Sequence, residues 1–540
     1  MAVFASKLNV QASGFAENRK GMLALVERMR ALEARAVEAS EKRKSRFRER
    51  GQLTPRERVA QLLDPGMPFL ELHNMANYLV EETKPEKSVP GASSILGIGF
   101  VSGARCMIGA TDSGIAAGAA TPMSVAKAKL ALDVALRQKL PYIQLVESAG
   151  ANLMTYTVEL WAEGGYMFYG LAKLSAAGVP TMTVLHGPST AGGAYQPGMS
   201  DYVIGVKRNG MAALAGAALT KAATGEVSDD RDLGGSEMHA SVSGLVEYLA
   251  EDDGHGLAIA REVVDRLDWN ASVSAAPPGA FAEPLYDPDE IAGLVPLDYK
   301  TPYDARELVA RLVDGSDFTE FKPRFGPSTL CLQAKIYGHE VGIIANNGPI
   351  DPNAAAKCGH FVQLCDQAGA ALVFLSNVTG YMVGVEAERA GMIKHGAKMI
   401  QAVSNARAPK LSIYVGASFG AGNYGMCGYA YDPDFLFTWP NAQTGVMAGD
   451  SAAGTMAEVA RGVAARKGMA IPDEMIEAQS NQLKEMFDRQ HDAFYTSGRC
   501  LDHGMIDPRD TRRVLGFCLQ TCWEARNRTL RPNAFGVARL

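Results

Sequence analysis

One short run of small residues occurs twice in this 540-residue chain. The first copy is Ser189-Thr-Ala-Gly-Gly-Ala-Tyr195 and the second is Ser418-Phe-Gly-Ala-Gly-Asn-Tyr424, 229 positions later. Each follows a short apolar segment of the kind that makes a buried strand. A glycine precedes each copy, Gly187 and Gly416, at the same spacing. Such a pair limits the fold to one built twice.

The approach to the two turns repeats as well. In the first half the repeat starts near Ile98, and residues 103–114 read as a tight turn, a strand and a glycine exit. A helix pattern covers 124–138, a buried strand Tyr142–Gly150, a helical stretch 158–176 and a third strand Thr181–Leu185. In the second half Gly338–Gly348, Ala371–Gly380 and Lys410–Val415 answer the three strands in the same order. Two superposable α/β domains related by duplication are therefore predicted. The Pro-rich stretch Ala275–Pro302 is their joint, which divides the chain into 1–280 and 281–540. Outside the repeats, apolar spacing predicts a helix over 15–49 with a basic end, Lys42 to Arg50. A Pro- and Gly-punctuated segment runs from Thr54 to Pro90, and a helical region from Ala452 to Thr496 is followed by a tail.

The bulk properties exclude several classes. A net charge of −6 argues against general nucleic-acid binding. No apolar run approaches the ~18 residues needed to span a bilayer. Residues 1–18 have no apolar core and are not Arg-rich, so neither a signal nor a transit peptide is expected. The eight cysteines form no C-x-x-C pair, which is read as free thiols in a reducing cytoplasm. The nine histidines never fall at H-x3-H spacing, and no metal site is expected.

A strand that ends in Gly-Gly or Ala-Gly can turn sharply and lets a ligand atom approach the peptide N–H groups. If a helix follows, its dipole adds positive potential. The turns could cradle a phosphate or form oxyanion holes for a carbonyl that becomes an enolate. Gly420-Ala-Gly-Asn-Tyr-Gly425 does match G-x-G-x-x-G after a strand, but the acidic residue of a dinucleotide site is missing ~20 residues on. A plain strand–helix junction is the bland reading for one such turn; a matched pair favours paired holes. No G-x-S-x-G is present. Glu147, Asp112 and Asp201 lie near the turns and read as capping or ion-pair residues, and His239 as structural. A base that arrives on a cofactor would account for the missing side-chain base.

Several segments resemble the carboxyltransferase β subunits of biotin-dependent acyl-CoA carboxylases, on the methylcrotonyl-CoA and geranyl-CoA carboxylase branch. They are Ser189–Pro197, Lys221–Glu226, Asp232–Gly235, Ala345–Gly348, His360–Cys365, Ser418–Gly428, Trp439–Ala442, Gly504–Pro508 and Asp510–Gly516. The resemblance runs from about residue 20 to 525.

That resemblance implies two tandem crotonase-like (ββα-superhelix) carboxyltransferase domains. Acyl-CoA would bind on the N domain and biotin on the C domain, with the site between opposed domains of two subunits of a β6 core inside an α6β6 holoenzyme. It implies that CO2 released from carboxybiotin is attacked by an acyl-CoA carbanion, the freed biotin having taken the proton. One hole, Gly192-Gly193, would hold the thioester enolate oxygen, and the other, Ala421-Gly422, the biotin ureido oxygen. Gly164, Gly165, Ala149, Gly150, Ala194 and Tyr195 would line the substrate pocket. Gly380, Gly420, Asn423 and Tyr424 would lie on the biotin side, and Lys127 is a candidate for a CoA phosphate. The chain has no Ala-Met-Lys-Met biotinylation site and no ATP-grasp-like region ahead of the repeats. A biotin-carrying α subunit is therefore an expected partner, and the holoenzyme would be a ligase.

Two departures bear on the substrate. The family's Ala-Gly-Pro-Pro is Ala215-Gly-Ala-Ala218 here, near the CoA. Methylcrotonyl-type subunits also carry Phe at the Gly164 position, whereas the geranyl type is similar to this chain in having Gly. Loss of the ring would enlarge the pocket by several carbons. The expected activity is carboxylation of geranyl-CoA at its γ-methyl carbon, with a 3-methylcrotonyl-CoA carboxylase, a biotin-dependent decarboxylase and a noncatalytic scaffold as alternatives.

Overall fold

The computed structural model describes residues 3–150, 156–467 and 472–537. The chain forms two compact units. One comprises Ala31–Ala276, Gly498–Cys500 and Thr521–Leu540; the other comprises Met1–Arg30, Pro277–Ser497 and Leu501–Gln520. The helix pattern over 15–49 resolves into α1 (Ser13–Glu41) and α2 (Lys44–Glu49). Between them the Arg43 amide donates to Ser40 O, an i−3 bond that ends the α-helical ladder. The segment after Thr54 holds a helix that its prolines and glycines concealed, α3 (Pro55–Leu62). It begins with a capping box: Thr54 accepts from the Glu57 amide while Glu57 accepts from the Thr54 amide.

The first unit carries an eight-stranded sheet in the order β1-β2-β3-β4-β5-β6-β8, with β7 beside β5. Its strands are β1 (Leu70–Glu71), β2 (Ser94–Val101), β3 (Ala104–Thr111), β4 (Tyr142–Ser148), β5 (Thr181–Thr190), β6 (Tyr202–Val206), β7 (Met211–Ala213) and β8 (Tyr248–Ala250). Only β1–β2 and β2–β3 pair antiparallel; the remaining pairs are parallel. Helices α4 (Pro122–Arg137), α5 (Val158–Gly164) and α6 (Tyr166–Ala177) occupy the connections. Six of the seven residues of β4 are buried, as expected for a parallel strand covered on both faces. A core of Val59, Leu62, Ile108, Ile143, Val184 and Leu257, among others, fills one face.

The second unit repeats the plan with seven strands, ordered β14-β13-β12-β11-β10-β9 with β15 beside β13. They are β9 (Phe318–Glu320), β10 (Thr329–Ile336), β11 (His339–Asn346), β12 (Ala371–Val378), β13 (Lys410–Phe419), β14 (Phe435–Thr438) and β15 (Gln443–Gly445). The helical region after Ala452 consists of Gly449–Lys467, Asp473–His491 and Ala493–Gly498, and residues 468–471 of that expected region lie outside the described ones.

The duplication extends to features that the strand pattern does not disclose. Each predicted first strand is the second arm of a hairpin. Ser102-Gly103 and Tyr337-Gly338 turn the two hairpins with φ of 48° and 74°, and 50° and 78°. Positive φ at both positions gives the turn whose twist suits a tight hairpin. A carboxylate holds each pair of turn amides, Asp64 in the first unit and Asp314 in the second. Thr121 and Asp351, each followed by proline, cap α4 and its counterpart Pro352–Ala368.

The strand that ends in each turn has the same irregularity. The pairing of β4 with β5 runs from Tyr142↔Thr181 to Val146↔Leu185, then shifts to Ser148↔Ser189. That of β12 with β13 runs from Leu372↔Lys410 to Ser376↔Tyr414, then shifts to Val378↔Ser418. The skipped residues include Gly187 and Gly416. A Cβ on Gly187 would lie 2.4 Å from Glu147 Cγ, and one on Gly416 would lie 2.3 Å from Asn377 Oδ1. The glycines let a neighbouring side chain cross the bulge and fix where the strand leaves the sheet. Gly416→Ala should therefore destabilise the protein by about 1–3 kcal/mol. In a double-mutant cycle with Asn377→Ala, denaturation should show a coupling of at least ~1 kcal/mol; simple additivity would contradict this crossing.

Candidate active site

Ala191 has φ 54° and Gly420 has φ 56°, so each turn opens on one left-handed residue at the equivalent position. Alanine there costs about 1–2 kcal/mol that glycine avoids. The chain then coils into the 3-10 turn Ala191–Ala194 and helix α7 (Tyr195–Met199) in the first unit, and into the helical turn Gly420–Gly425 in the second. Neither Thr190 nor Phe419 provides a side-chain cap. In coils so short the leading amides, Gly192 in the first turn and Ala421 and Gly422 in the second, precede the first rung of the helical ladder. Gly192 and Ala421 are exposed, Gly193 is half-buried and Gly422 is buried. Tyr195 and Tyr424 close the turns at 46% and 44% exposure.

Each turn packs beside the exit of the strand next to it. Gly150 and Gly380 follow β4 and β12 with φ of 79° and 134°. Their carbonyls accept from equivalent amides, Ala120 and Ile350, at 3.0 and 3.1 Å. A Cβ on Gly422 would lie 2.9 Å from Gly380 Cα, so only glycine permits this approach of two backbones. In the first unit a Cβ on Gly150 would have 3.7 Å to Thr190 O, and exposed Ala149 precedes it.

The fastenings of the two turns differ. In the second unit Asn423 is buried, and its Nδ2 donates to Tyr414 OH at 2.9 Å and to Ser418 Oγ at 2.8 Å. Ser418 Oγ also meets Ser376 Oγ at 3.0 Å. Burial pushes the Tyr414 phenol up to about 12, so it stays a neutral hydrogen-bonding group. In the first unit Ala194 replaces the asparagine, and the turn is held by rings instead: Phe168 of α6 meets Tyr195 edge-on at 5.5 Å. Gln196 Nε2 beside it donates to Met167 Sδ at 3.2 Å. Gly164 ends α5 and Gly165 links it to α6; among the described residues a Cβ on Gly164 would meet no atom within 4 Å beyond its own helix.

Lys127 is 1% exposed, and its ammonium donates inward to Gly91 O and Ser94 O at 3.1 and 2.8 Å. Burial lowers its pKa to about 8. It anchors the start of β2 and presents no ammonium to solvent. Lys357, its counterpart in the second unit, is likewise fully buried. The acidic residues near the first turn are structural. Asp112 accepts from Ser40 Oγ, and Asp201 from the Thr181 amide and the Ser175 hydroxyl. His239 is tied to Ser243 Oγ and Ala212 O.

The spacing of motifs did not disclose the ion cluster under the first turn. Arg58 of α3 donates to Glu147 at 2.7 Å and to Asp253 at 2.8 Å, all three nearly fully buried. Asp253 also meets His186 Nδ1 at 2.8 Å, and Gln52 donates to His186 O. Burial works against the Asp253 carboxylate, but His186 and Arg58 outweigh it and bring its pKa down to about 2. The Thr-Pro-x-Glu cap was the signal that could have placed Arg58 on a helix.

Comparison with known proteins matches the carboxyl transferase domain model to residues 46–537. The chain belongs to the carboxyl transferase family. This carboxyl transferase is 44% identical over 516 residues to a probable biotin-dependent acyl-coenzyme A carboxylase beta2 subunit of Mycobacterium tuberculosis, covering 95% of this chain and 96% of that one. It is 41% identical over 540 residues to the biotin-dependent 3-methylcrotonyl-coenzyme A carboxylase beta1 subunit of the same organism, covering 98% of each. The crystal structure of the geranyl-CoA carboxylase beta subunit of P. aeruginosa superposes with a TM-score of 0.93 at 46% identity, covering all of both chains. That fold is the crotonase-like two-domain arrangement expected from the sequence motifs. Among the described residues no helix of the carboxyl transferase is long and apolar enough to cross a membrane.

Replacing Arg58 by leucine would leave Glu147 and Asp253 buried without their cation. A loss of about 3–5 kcal/mol is expected in chemical denaturation. A loss under ~1 kcal/mol would mean that the cluster does not brace the strand ends.

Proposed function

We propose that this chain is the carboxyltransferase subunit of a biotin-dependent carboxylase acting on geranyl-CoA, a long branched 2-enoyl-CoA, at its γ-methyl carbon. The matched pair of uncapped, small-residue turns carries the reading. An enolate oxygen placed at Gly192-Gly193 would accept from amides already oriented for it, with no side chain to move. Gly422 and Gly380 approach so closely that a Cβ would fill the second cradle, and exposed Ala421 adds no bulk; a flat ureido group fits such a surface. Biotin, carried by a partner α subunit, would supply the CO2 and the base. Gly420 and Tyr424 would frame that group while Asn423 holds the turn from beneath. In the first unit Ala194, Tyr195, Ala149 and Gly150 would frame the acyl group. Assembly as a β6 core within α6β6 is proposed with this function.

Open space at Gly164 among the described residues and full-length similarity to a geranyl-CoA carboxylase β subunit support the long substrate. The second reading, a 3-methylcrotonyl-CoA carboxylase subunit, draws on the 41% identity over 540 residues to such a β1 subunit. An acyl-CoA panel with the reconstituted α partner, ATP and labelled bicarbonate separates them. Geranyl-CoA should be carboxylated; turnover of 3-methylcrotonyl-CoA alone would replace the first reading with the second. Gly164→Phe should lower kcat/KM for geranyl-CoA by at least ~10-fold and spare the short substrate.

Valine at Gly193 or Gly422 should lower kcat by roughly 10²–10³-fold, the loss typical of one displaced oxyanion donor. Unchanged turnover in both variants would remove the paired-hole mechanism and favour a noncatalytic role. Thermal midpoints should be taken alongside, because a Cβ on Gly422 also presses on backbone.

A further inference from the structure

The first unit contains a cavity of about 130 Å³ between its sheet and the N-terminal half of α4. Three elements of the proposed acyl site reach its rim. Ser148 sits directly before Ala149, Gln196 directly after Tyr195, and Met167 three residues after Gly164. Ser148 Oγ fastens this rim, donating to Gly118 O at 2.8 Å and accepting from the Gly150 amide at 3.0 Å. The cavity therefore reaches Gln196, the residue after the turn that would hold the thioester.

Its lining suits an apolar guest. Three long polar side chains at its wall are engaged: Lys127 on Gly91 O and Ser94 O, Gln144 on the hydroxyls of Thr183 and Ser200, and Gln196 on Met167 Sδ; the Tyr142 ring also lines it. Between them lie Ala110, Ala119, Ala120 and Ala128, whose small side chains leave the volume open. A dry cavity of ~150 Å³ admits benzene, so about 130 Å³ holds a branched group of roughly five carbons. One isoprene unit is the difference between a geranyl and a 3-methylcrotonyl group.

We infer that this cavity is the subsite for the distal isoprene unit of the acyl chain, and that Ala120 and Ala128 set the length it accepts. The inference rests on the proposed geranyl-CoA reading and extends it. Among the described residues nothing stands against a Cβ on Gly164, which removes an obstacle; the cavity adds the enclosing wall that a tail needs in order to be bound. A substrate without the tail reaches the same turn and leaves the cavity unused.

The test uses the reconstituted holoenzyme with Ala128→Leu and, separately, Ala120→Leu. kcat/KM is measured for geranyl-CoA and 3-methylcrotonyl-CoA. Three added carbons remove most of the room, so each variant should lose ~10–100-fold on geranyl-CoA and change within about twofold on the short substrate. If the ratio of the two substrates is unchanged in both variants, or both substrates fall together, the cavity is not the tail subsite. If the wild-type holoenzyme carboxylates only the short substrate, the proposed function itself fails, and this inference with it. The wild-type measurement alone reveals that outcome, so the two failures are distinguishable.

Discussion

The structure depends on a crossing of one side chain over one glycine at the end of a parallel strand. Glu147 over Gly187 and Asn377 over Gly416 occupy the space a Cβ would need. Each crossing coincides with the shift in strand register that releases Ser189 or Ser418 toward its turn. Parallel strands normally exit in step with their neighbours. Here the bulge makes one strand overrun, and a left-handed residue then coils it back with its amides uncapped. Donors in that position are prepared before any ligand arrives, which is what makes electrostatic stabilisation effective.

The two halves reached this geometry with different supports. Under the first turn the crossing side chain is a carboxylate, and it is buried against the Arg58 guanidinium, which Asp253 and His186 fasten from the other side. Under the second turn the crossing residue is a neutral amide, Asn377, which accepts from the Ala417 amide, and no guanidinium is needed. Asn423 then ties the second turn to Tyr414 and Ser418, whereas the first rests on aromatic contact with α6. The turn fastened by hydrogen bonds is held at both ends. The turn fastened by packing rests on α6, whose start follows Gly165 and the end of α5 at Gly164.

Much of this was legible beforehand. Strands that bury both faces read as continuous apolar runs, so Tyr142–Ser148 and Lys410–Phe419 were visible with their turns. Less visible were the first arms of the hairpins and α3, because their signals are short: two positive-φ residues in one case and a four-residue capping box in the other. Lys127 shows the limit of reading function from residue type. A lysine at the start of a helix suits a phosphate, but its neighbours bury it and use its ammonium on two carbonyls.

By itself the sequence determined the duplication, the strands, the twin turns and the family, because periodicity and the positions of small residues are local properties that spacing preserves. Only the tertiary structure decided why Gly187 and Gly416 must be glycine, which carboxylates are buried with Arg58, and that a cavity lies between the first sheet and α4. Those depend on which atoms from distant segments come within a few ångströms, and packing alone sets that distance.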